Sequence, residues 1–180
     1  MYKQFTIAKL FCALIVLSPN LGHAQQCNVA GVIASTPTRQ FINHHNGTVT
    51  DKNTGLIWKK CSEGQTWNNK TDSCEGNAAT YSWQVALNRV QTLNRIGGFA
   101  GKKDWRVPNI QELYSIIEEQ CYYPALNASV FPTAYKAAFW SSSPHNGDDA
   151  MAWGVLFDFG YDSPYYKSSN NQIRLVRSAQ

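Results

Sequence analysis

The sequence lacks the motifs of most cofactor-dependent and catalytic proteins. It contains no Cys-x-x-Cys pair, and the doublet His44-His45 has no neighbouring cysteine to complete a zinc site. Neither a Gly-x-Ser-x-Gly elbow nor a zinc-protease motif occurs. We therefore expect a protein without a metal, a cofactor or an enzymatic activity.

The chain also has little excess of charge. Sixteen lysines and arginines stand against twelve aspartates and glutamates, and Lys3 and Lys9 account for two of the cations. This balance is too even for the basic surface that binds nucleic acid. After residue 24 no apolar run approaches the roughly 20 residues of a membrane-spanning helix. We expect no nucleic-acid partner, and no membrane span once the N-terminal segment is removed.

The first 24 residues have the composition of a secretory signal peptide. Lys3 and Lys9 precede an apolar run over residues 10–17, and Pro19 and Gly22 follow it. Small residues at positions 22 and 24 suit a signal peptidase that cleaves before Gln25. We therefore expect an exported protein in the periplasm, at the cell surface or outside the cell. Its mature chain would comprise an N-terminal arm, residues 25–45, and one domain, residues 46–180.

Four cysteines remain after the signal, and an even number in an exported chain predicts two disulfides. Three pairings are open. We favour Cys61–Cys74, because it closes a short polar loop. The other bridge is then Cys27–Cys121, which would tie the arm to the domain.

Two helices can be read from the pattern. Apolar residues recur at helical spacing from Trp83 to Leu93, with Ser82 or Thr80 as the start and Gly97-Gly98 as the end. Asn109 and Glu112 have the spacing of a capping box. We expect this second helix to run from Asn109 to near Cys121.

The rest of the pattern is typical of strands. Residues 48–50 and 56–58 flank a turn rich in Gly, Asn and Asp, which predicts a β-hairpin. Further strands are expected at residues 139–142, 153–159 and 173–177. Since the helices and strands are segregated along the chain, the fold class is α+β, with short antiparallel sheets.

The order of these segments resembles a known family of exported bacterial domains. The resemblance covers residues 47–178, and its most specific part is the segment Asp-Trp-Arg-Val-Pro-Asn-Ile-Gln-Glu-Leu at residues 104–113. The other matching segments are residues 48–58, Trp83 with Ala86-Leu87, residues 139–142, Ala152-Trp153 with Phe157, and residues 174–177. The family is the C-terminal domain of the Legionella collagen-like adhesin, which also occurs as stand-alone secreted proteins.

The resemblance implies a single C-type-lectin-like domain, of the branch shared with formylglycine-generating enzymes. For the adhesin it also implies binding of sulfated glycans and trimeric assembly. This chain has no collagen-like Gly-x-y stalk, so a homo-oligomer remains an open expectation here.

Several residues of the matching segments are expected to have structural roles. Glu112 would cap the second helix with Asn109, and Arg106 would pair with a carboxylate or a backbone carbonyl. Four tryptophans on predicted element ends or strands are expected in the core: Trp58, Trp105, Trp140 and Trp153.

Candidate ligand-binding residues come from an aromatic segment and from basic pairs. Exposed tyrosines can stack on sugar rings and donate hydrogen bonds, and lysines attract sulfate or carboxylate. The candidates are Tyr161, Tyr165, Tyr166 and Lys167, in a predicted loop, and Lys102 and Lys103, with Lys59-Lys60 as a further basic pair. We expect an adhesin-like, non-enzymatic module for a polysaccharide, such as a sulfated glycan, or another anionic cell-surface polymer. The alternative is a module that binds an envelope protein of a pilus or secretion apparatus.

Overall fold

The computed structural model describes residues 25–132 and 137–179. The predicted signal peptide, residues 1–24, therefore lies outside the described residues. The described part has an α+β fold, as the sequence predicts, with two α-helices and eleven short strands. These are β1 (Gln26–Cys27), β2 (Phe41–Asn43), β3 (Thr48–Asp51), β4 (Leu56–Lys59), β5 (Thr66–Asn68), β6 (Ser73–Glu75), α1 (Trp83–Arg95), α2 (Ile110–Tyr114), β7 (Cys121–Tyr122), β8 (Ala138–Pro144), β9 (Met151–Leu156), β10 (Tyr161–Tyr166) and β11 (Val176–Ser178).

The strands form four antiparallel sheets. The largest has the order β11-β4-β3-β2, and the predicted hairpin is its centre, with Val49 opposite Trp58. A three-stranded sheet has the order β10-β9-β8, and β1–β7 and β5–β6 form two small ribbons. The closing strand is shorter than predicted. Residues 173–175 precede β11, although their carbonyls still accept from Lys59 and Glu63.

The three-stranded sheet separates two hydrophobic clusters. Phe139 and Val155 point into a cluster that contains Leu113 of α2, whereas Trp140 and Ala152 point into one that contains Val90 of α1. Because neighbouring residues of a strand face opposite sides, the two helices cover opposite faces of this sheet. No helix in the described ranges is long and apolar enough to cross a bilayer.

The first helix begins and ends where the sequence predicts. Ser82 is its N-cap residue, but the Ser82 side chain makes no capping bond; the first helical N–H, of Trp83, donates instead to the carbonyl of Lys167 at 2.9 Å. At the other end the N–H of Gly98 donates to the carbonyl of Leu93 at 2.8 Å, the bond of a Schellman motif.

The second helix is much shorter than predicted. The capping box of Asn109 and Glu112 is present, but α2 ends at Tyr114 instead of near Cys121. The Ser115 hydroxyl bonds back to the carbonyl of Glu112 at 2.7 Å, and Ile117 then bridges to Leu126 in an antiparallel arrangement. Pairing with a distant segment therefore replaces the last helical turns.

The structure contains two disulfides, in the pairing favoured from the sequence. Cys27 is joined to Cys121, and Cys61 to Cys74. The first bridge fastens β1 to β7, so the arm packs along the domain from its first described residues. The second closes a polar loop that itself folds into the β5–β6 ribbon.

Candidate ligand-binding surfaces

The six predicted ligand residues do not form one site. Residues 161–166 are strand β10, at the edge of the three-stranded sheet, and not the loop expected from the sequence. Pro164 fits this edge position, because a proline has no N–H to donate to a further strand. Lys102 and Lys103 lie instead in the turn after α1. The candidates are thereby divided between two regions of the surface.

Successive side chains of β10 point to opposite faces of the sheet, so Tyr165 and Tyr166 have different surroundings. The Tyr165 ring packs edge-on against buried Trp140, with centroids 5.9 Å apart, and burial raises the pKa of its phenol. Tyr166 faces the opposite side of the strand and is exposed. Lys167 is held in place: its Nζ lies 4.7 Å from the centroid of the Trp83 ring and donates to the carbonyl of Asp149 at 2.7 Å. Tyr166 is thus exposed, whereas Tyr165 is held against the core.

Tyr161 belongs to a different set of aromatic side chains, which we call the aromatic row: Tyr122, Tyr123, Phe159 and Tyr161. Successive ring centroids are 5.5, 4.9 and 6.0 Å apart, and the last two rings are stacked with an angle of 15° between their planes. Tyr122, Phe159 and Tyr161 are 41%, 51% and 48% exposed. The row is a continuous aromatic surface open to solvent.

The aromatic row is positioned by backbone contacts between two distant segments. The N–H groups of Tyr123 and Ala125 donate to the carbonyls of Asp158 and Phe157 at 2.8 and 2.6 Å, beside the cis peptide bond between Tyr123 and Pro124. Gly160 has a φ of +76°, and a Cβ there would lie 2.8 Å from the Cβ of Ala125. The turn between β9 and β10 is therefore docked tightly on the segment after Cys121.

The two segments that carry the row have an acidic composition. The two segments that carry it, residues 117–126 and 156–163, contain Glu118, Glu119, Asp158 and Asp162 but no lysine or arginine. A negatively charged environment favours neutral or cationic ligands over sulfate groups. This surface is therefore suited to the faces of uncharged sugar rings.

A separate cleft of about 170 Å³ contains Lys102 in its lining, together with His44, Asn46, Trp105 and Arg177. The Arg177 Nε donates to Asp104 Oδ1 at 2.8 Å, and this hydrogen bond lowers the pKa of Asp104. Lys103 is exposed but does not line the cleft. The cleft combines basic side chains with an aromatic wall, an arrangement that can accept an anionic group.

Lys59 and Lys60 are not surface cations, so the prediction that they attract sulfate is wrong. Lys59 Nζ lies 2.8 Å from Glu63, which also binds Arg89 at 2.7 Å. Burial alone would raise the pKa of Glu63, but these two cations lower it. Burial lowers the pKa of Lys60, whose Nζ lies 4.2 Å from the centroid of the Trp67 ring. Both lysines are parts of the interior.

The most specific sequence segment has a structural role in the described residues. Arg106 and Glu112 form a two-pronged ion pair with both N–O distances at 2.6 Å, and Glu112 also completes the capping box. Burial alone would raise the pKa of Glu112, but the bonds from Arg106 and the backbone of Asn109 lower it. The side chain of Asn94 clamps the backbone of Trp105, donating to its carbonyl at 2.7 Å. The segment thus holds α2 against the sheet.

Three of the four tryptophans predicted for the core are buried, namely Trp58, Trp105 and Trp140. Trp153 is only half-buried, and the centroid of its ring lies 5.0 Å from that of His145, in the β8–β9 loop. Within residues 25–132 and 137–179, no cluster of three or more His, Cys, Asp or Glu side chains is placed to hold a metal ion.

Sequence reasoning missed most of the aromatic row. Tyr122 and Tyr123 follow a cysteine predicted to end a helix, and Phe159 was expected inside a strand, which here ends at Leu156. The signal in the sequence was the doublet Tyr122-Tyr123 before Pro124, a turn-forming position.

Comparison with known proteins identifies the family of the chain. The Lcl C-terminal domain model matches residues 47–177, and the chain belongs to that family. No curated protein matches the chain significantly.

Proposed function

We propose that the protein is an exported, non-enzymatic binding module that recognises a glycan, with the aromatic row as its main contact surface. Export is part of this proposal and rests on the signal-like residues 1–24. So is the C-type-lectin-like fold, which rests on the family resemblance. The observation that carries the proposal is the row itself, because three large rings are left in water on one continuous surface.

Stacking on sugar rings would give this exposed aromatic surface a binding function. Aromatic rings contribute a large apolar area, and tyrosine adds a hydroxyl that can bond to sugar hydroxyls. Neighbouring ring centroids are only 4.9 to 6.0 Å apart, so one extended ligand can contact more than one ring of the row. Contiguous exposed apolar side chains, unlike single scattered ones, are a feature of interaction surfaces.

The basic cleft is the proposed binding site for anionic groups of the glycan. Lys102 and His44 can receive a sulfate or carboxylate group of a polymer, whereas the acidic segments of the row repel one. Binding of a sulfated polymer at the cleft should weaken as salt is added, because exposed charges are screened. Stacking at the row should depend little on salt.

The test uses the oxidised mature chain, residues 25–180, on a glycan array and in affinity electrophoresis with soluble polysaccharides. We expect Phe159→Ala and Tyr161→Ala each to weaken retention by up to about tenfold, the loss of one aromatic stacking contact. Tyr166→Ala is the matched control, since Tyr166 is 58% exposed on the same strand but lies outside the row.

Two results would contradict the proposal. If Tyr166→Ala weakens retention as much as the row variants do, the row is not the contact surface. If no glycan on the array binds the chain at low ionic strength, the glycan-binding proposal is overturned. A blank array together with a defined protein that copurifies from the envelope would favour the alternative function, a protein-binding module.

A further inference from the structure

A groove on the face of β10 opposite Tyr161 is lined by three polar side chains, Gln111, Tyr114 and Asp162, that are unbonded within the described part of the chain. It has a volume of about 310 Å³, and its lining residues are Ile110, Gln111, Tyr114, Ser115 and Asp162. This volume lies at the lower end of the range for small-molecule sites, about 300 to 1,000 Å³. The groove lies between the exposed side of α2 and the edge strand of the three-stranded sheet.

The lining offers hydrogen-bonding capacity beside an aromatic ring. Gln111, Tyr114 and Asp162 are exposed, and within the described part of the chain no hydrogen bond or ion pair engages their side chains. The amide can donate and accept, the phenol can do both, and the carboxylate accepts two O–H groups at once. Ile110 adds an apolar wall. A flat apolar face edged by donors and acceptors matches a hydroxyl-rich ring.

The charge of the groove restricts its ligand further. Among the residues that the structure describes, Asp162 is the only charged one in its lining, and no lysine or arginine of those ranges lines it. A sulfate or carboxylate group would therefore meet an unneutralised carboxylate. A neutral sugar would not, and its neighbouring hydroxyls can both donate to Asp162.

The groove and the aromatic row are adjacent across one strand. Tyr161 and Asp162 are consecutive residues of β10, so their side chains leave opposite faces of the strand. Because β10 is an edge strand, one ligand chain that crosses this edge can contact both faces.

We propose that this groove is a subsite for a neutral, hydroxyl-rich sugar residue, bound by Asp162 and Gln111 and stacked on Tyr114. The inference rests on the proposed glycan-binding function and names a ligand class for it. Neutral sugars bind at the row and groove, while sulfated sugars are restricted to the separate Lys102 cleft.

Affinity electrophoresis of the oxidised mature chain tests the inference, with mannan, dextran and hydroxyethyl cellulose as neutral probes and heparin as the sulfated one. Asp162→Ala and Tyr114→Ala should each weaken retention by a neutral probe by about tenfold, and leave heparin retention unchanged. Glu119→Ala and Tyr166→Ala are the matched controls, an exposed acid and an exposed tyrosine outside the groove. Circular dichroism and the urea midpoint verify that each variant is folded.

The outcomes separate the groove from the wider proposal. If Phe159→Ala weakens neutral retention but Asp162→Ala and Tyr114→Ala do not, the groove inference is overturned and the glycan-binding function stands. If the wild-type chain retains none of the neutral probes but binds heparin, the groove is also overturned, and function is confined to the cleft. If no probe is retained, both proposals are overturned.

Discussion

Glu118 is one of the residues that join the N-terminal arm to the domain. Its carboxylate is 3% exposed and accepts hydrogen bonds from the N–H groups of Ser35, Thr36 and Gln120 at 2.9, 2.9 and 3.1 Å. The Thr36 hydroxyl adds a fourth bond at 3.0 Å. Burial alone would raise the pKa of Glu118, but the bonds from Thr36, Gln120 and Ser35 outweigh it and lower the pKa below its ordinary value of 4.5.

This lowered pKa makes the stability of the protein depend on pH. A carboxyl whose pKa is lower in the folded than in the unfolded state contributes its stability above pH 4.5, and that contribution is lost as the pH falls through the folded-state pKa. Glu118→Gln should lower the free energy of unfolding at pH 7 by roughly 2–4 kcal/mol, since it leaves buried N–H groups with weaker acceptors.

Urea unfolding at a series of pH values measures this effect. The difference between wild type and Glu118→Gln should shrink at acidic pH, where the wild-type carboxyl is itself protonated. Glu119→Gln, an exposed neighbour, is the control and should unfold like wild type. A difference that stays constant down to the acid limit would contradict the assignment.

At the scale of single elements, the turn after α1 determines where Lys102 lies. Phe99 and Lys102 exchange backbone bonds, N–H to carbonyl, at 2.9 and 3.0 Å. Gly98 makes this turn fit, because it has a φ of +76° and a Cβ there would lie 1.8 Å from the carbonyl oxygen of Lys102. Gly101 has a similar φ of +71° but nothing within 4 Å of the Cβ position.

These two glycines form a matched pair for mutation. Gly101→Ala should cost about 1–2 kcal/mol of unfolding free energy, the strain of a left-handed non-glycine residue. Gly98→Ala should cost about 1–3 kcal/mol more, because the backbone must also move away from the new methyl group. Urea unfolding measures both, and equal losses would show that the close approach at Gly98 has no energetic weight.

At the scale of the whole molecule, the two disulfides constrain very different lengths of chain. Cys27–Cys121 joins residues 94 apart in sequence and closes the arm onto the domain, whereas Cys61–Cys74 joins residues only 13 apart. A longer closed loop removes more conformational entropy from the unfolded chain.

The order of the two disulfide contributions can therefore be predicted. Replacing both cysteines of the long bridge by serine should lower the free energy of unfolding by about 4–5 kcal/mol, and the same change in the short bridge by roughly 3 kcal/mol. Urea unfolding of the two double variants, in a chain of residues 25–180, provides the comparison. A larger loss from the short bridge would mean that packing around the polar loop dominates over chain entropy.

The elements that the sequence predicts correctly depend on residues close together in the chain. The apolar spacing of α1, the capping box of Asn109 and Glu112, and the hairpin around Asp51 to Gly55 are all formed by neighbours within a few residues. The α+β class and the core positions of Trp58 and Trp140 follow from the same local patterns. These features need no knowledge of what packs against them.

Tertiary structure alone decided the features that join distant segments. The end of α2 at Tyr114 results from pairing with residues 125–126 and from the capture of Glu118 by the arm. Lys59 is buried because Glu63 and Arg89 form an ion network around it. The aromatic row needs residues 122–123 beside residues 159–161, and the doublet Tyr122-Tyr123 does not by itself predict that partner segment. Sequence determines local geometry through short-range bonds, whereas a surface composed of remote segments exists only once the chain has packed.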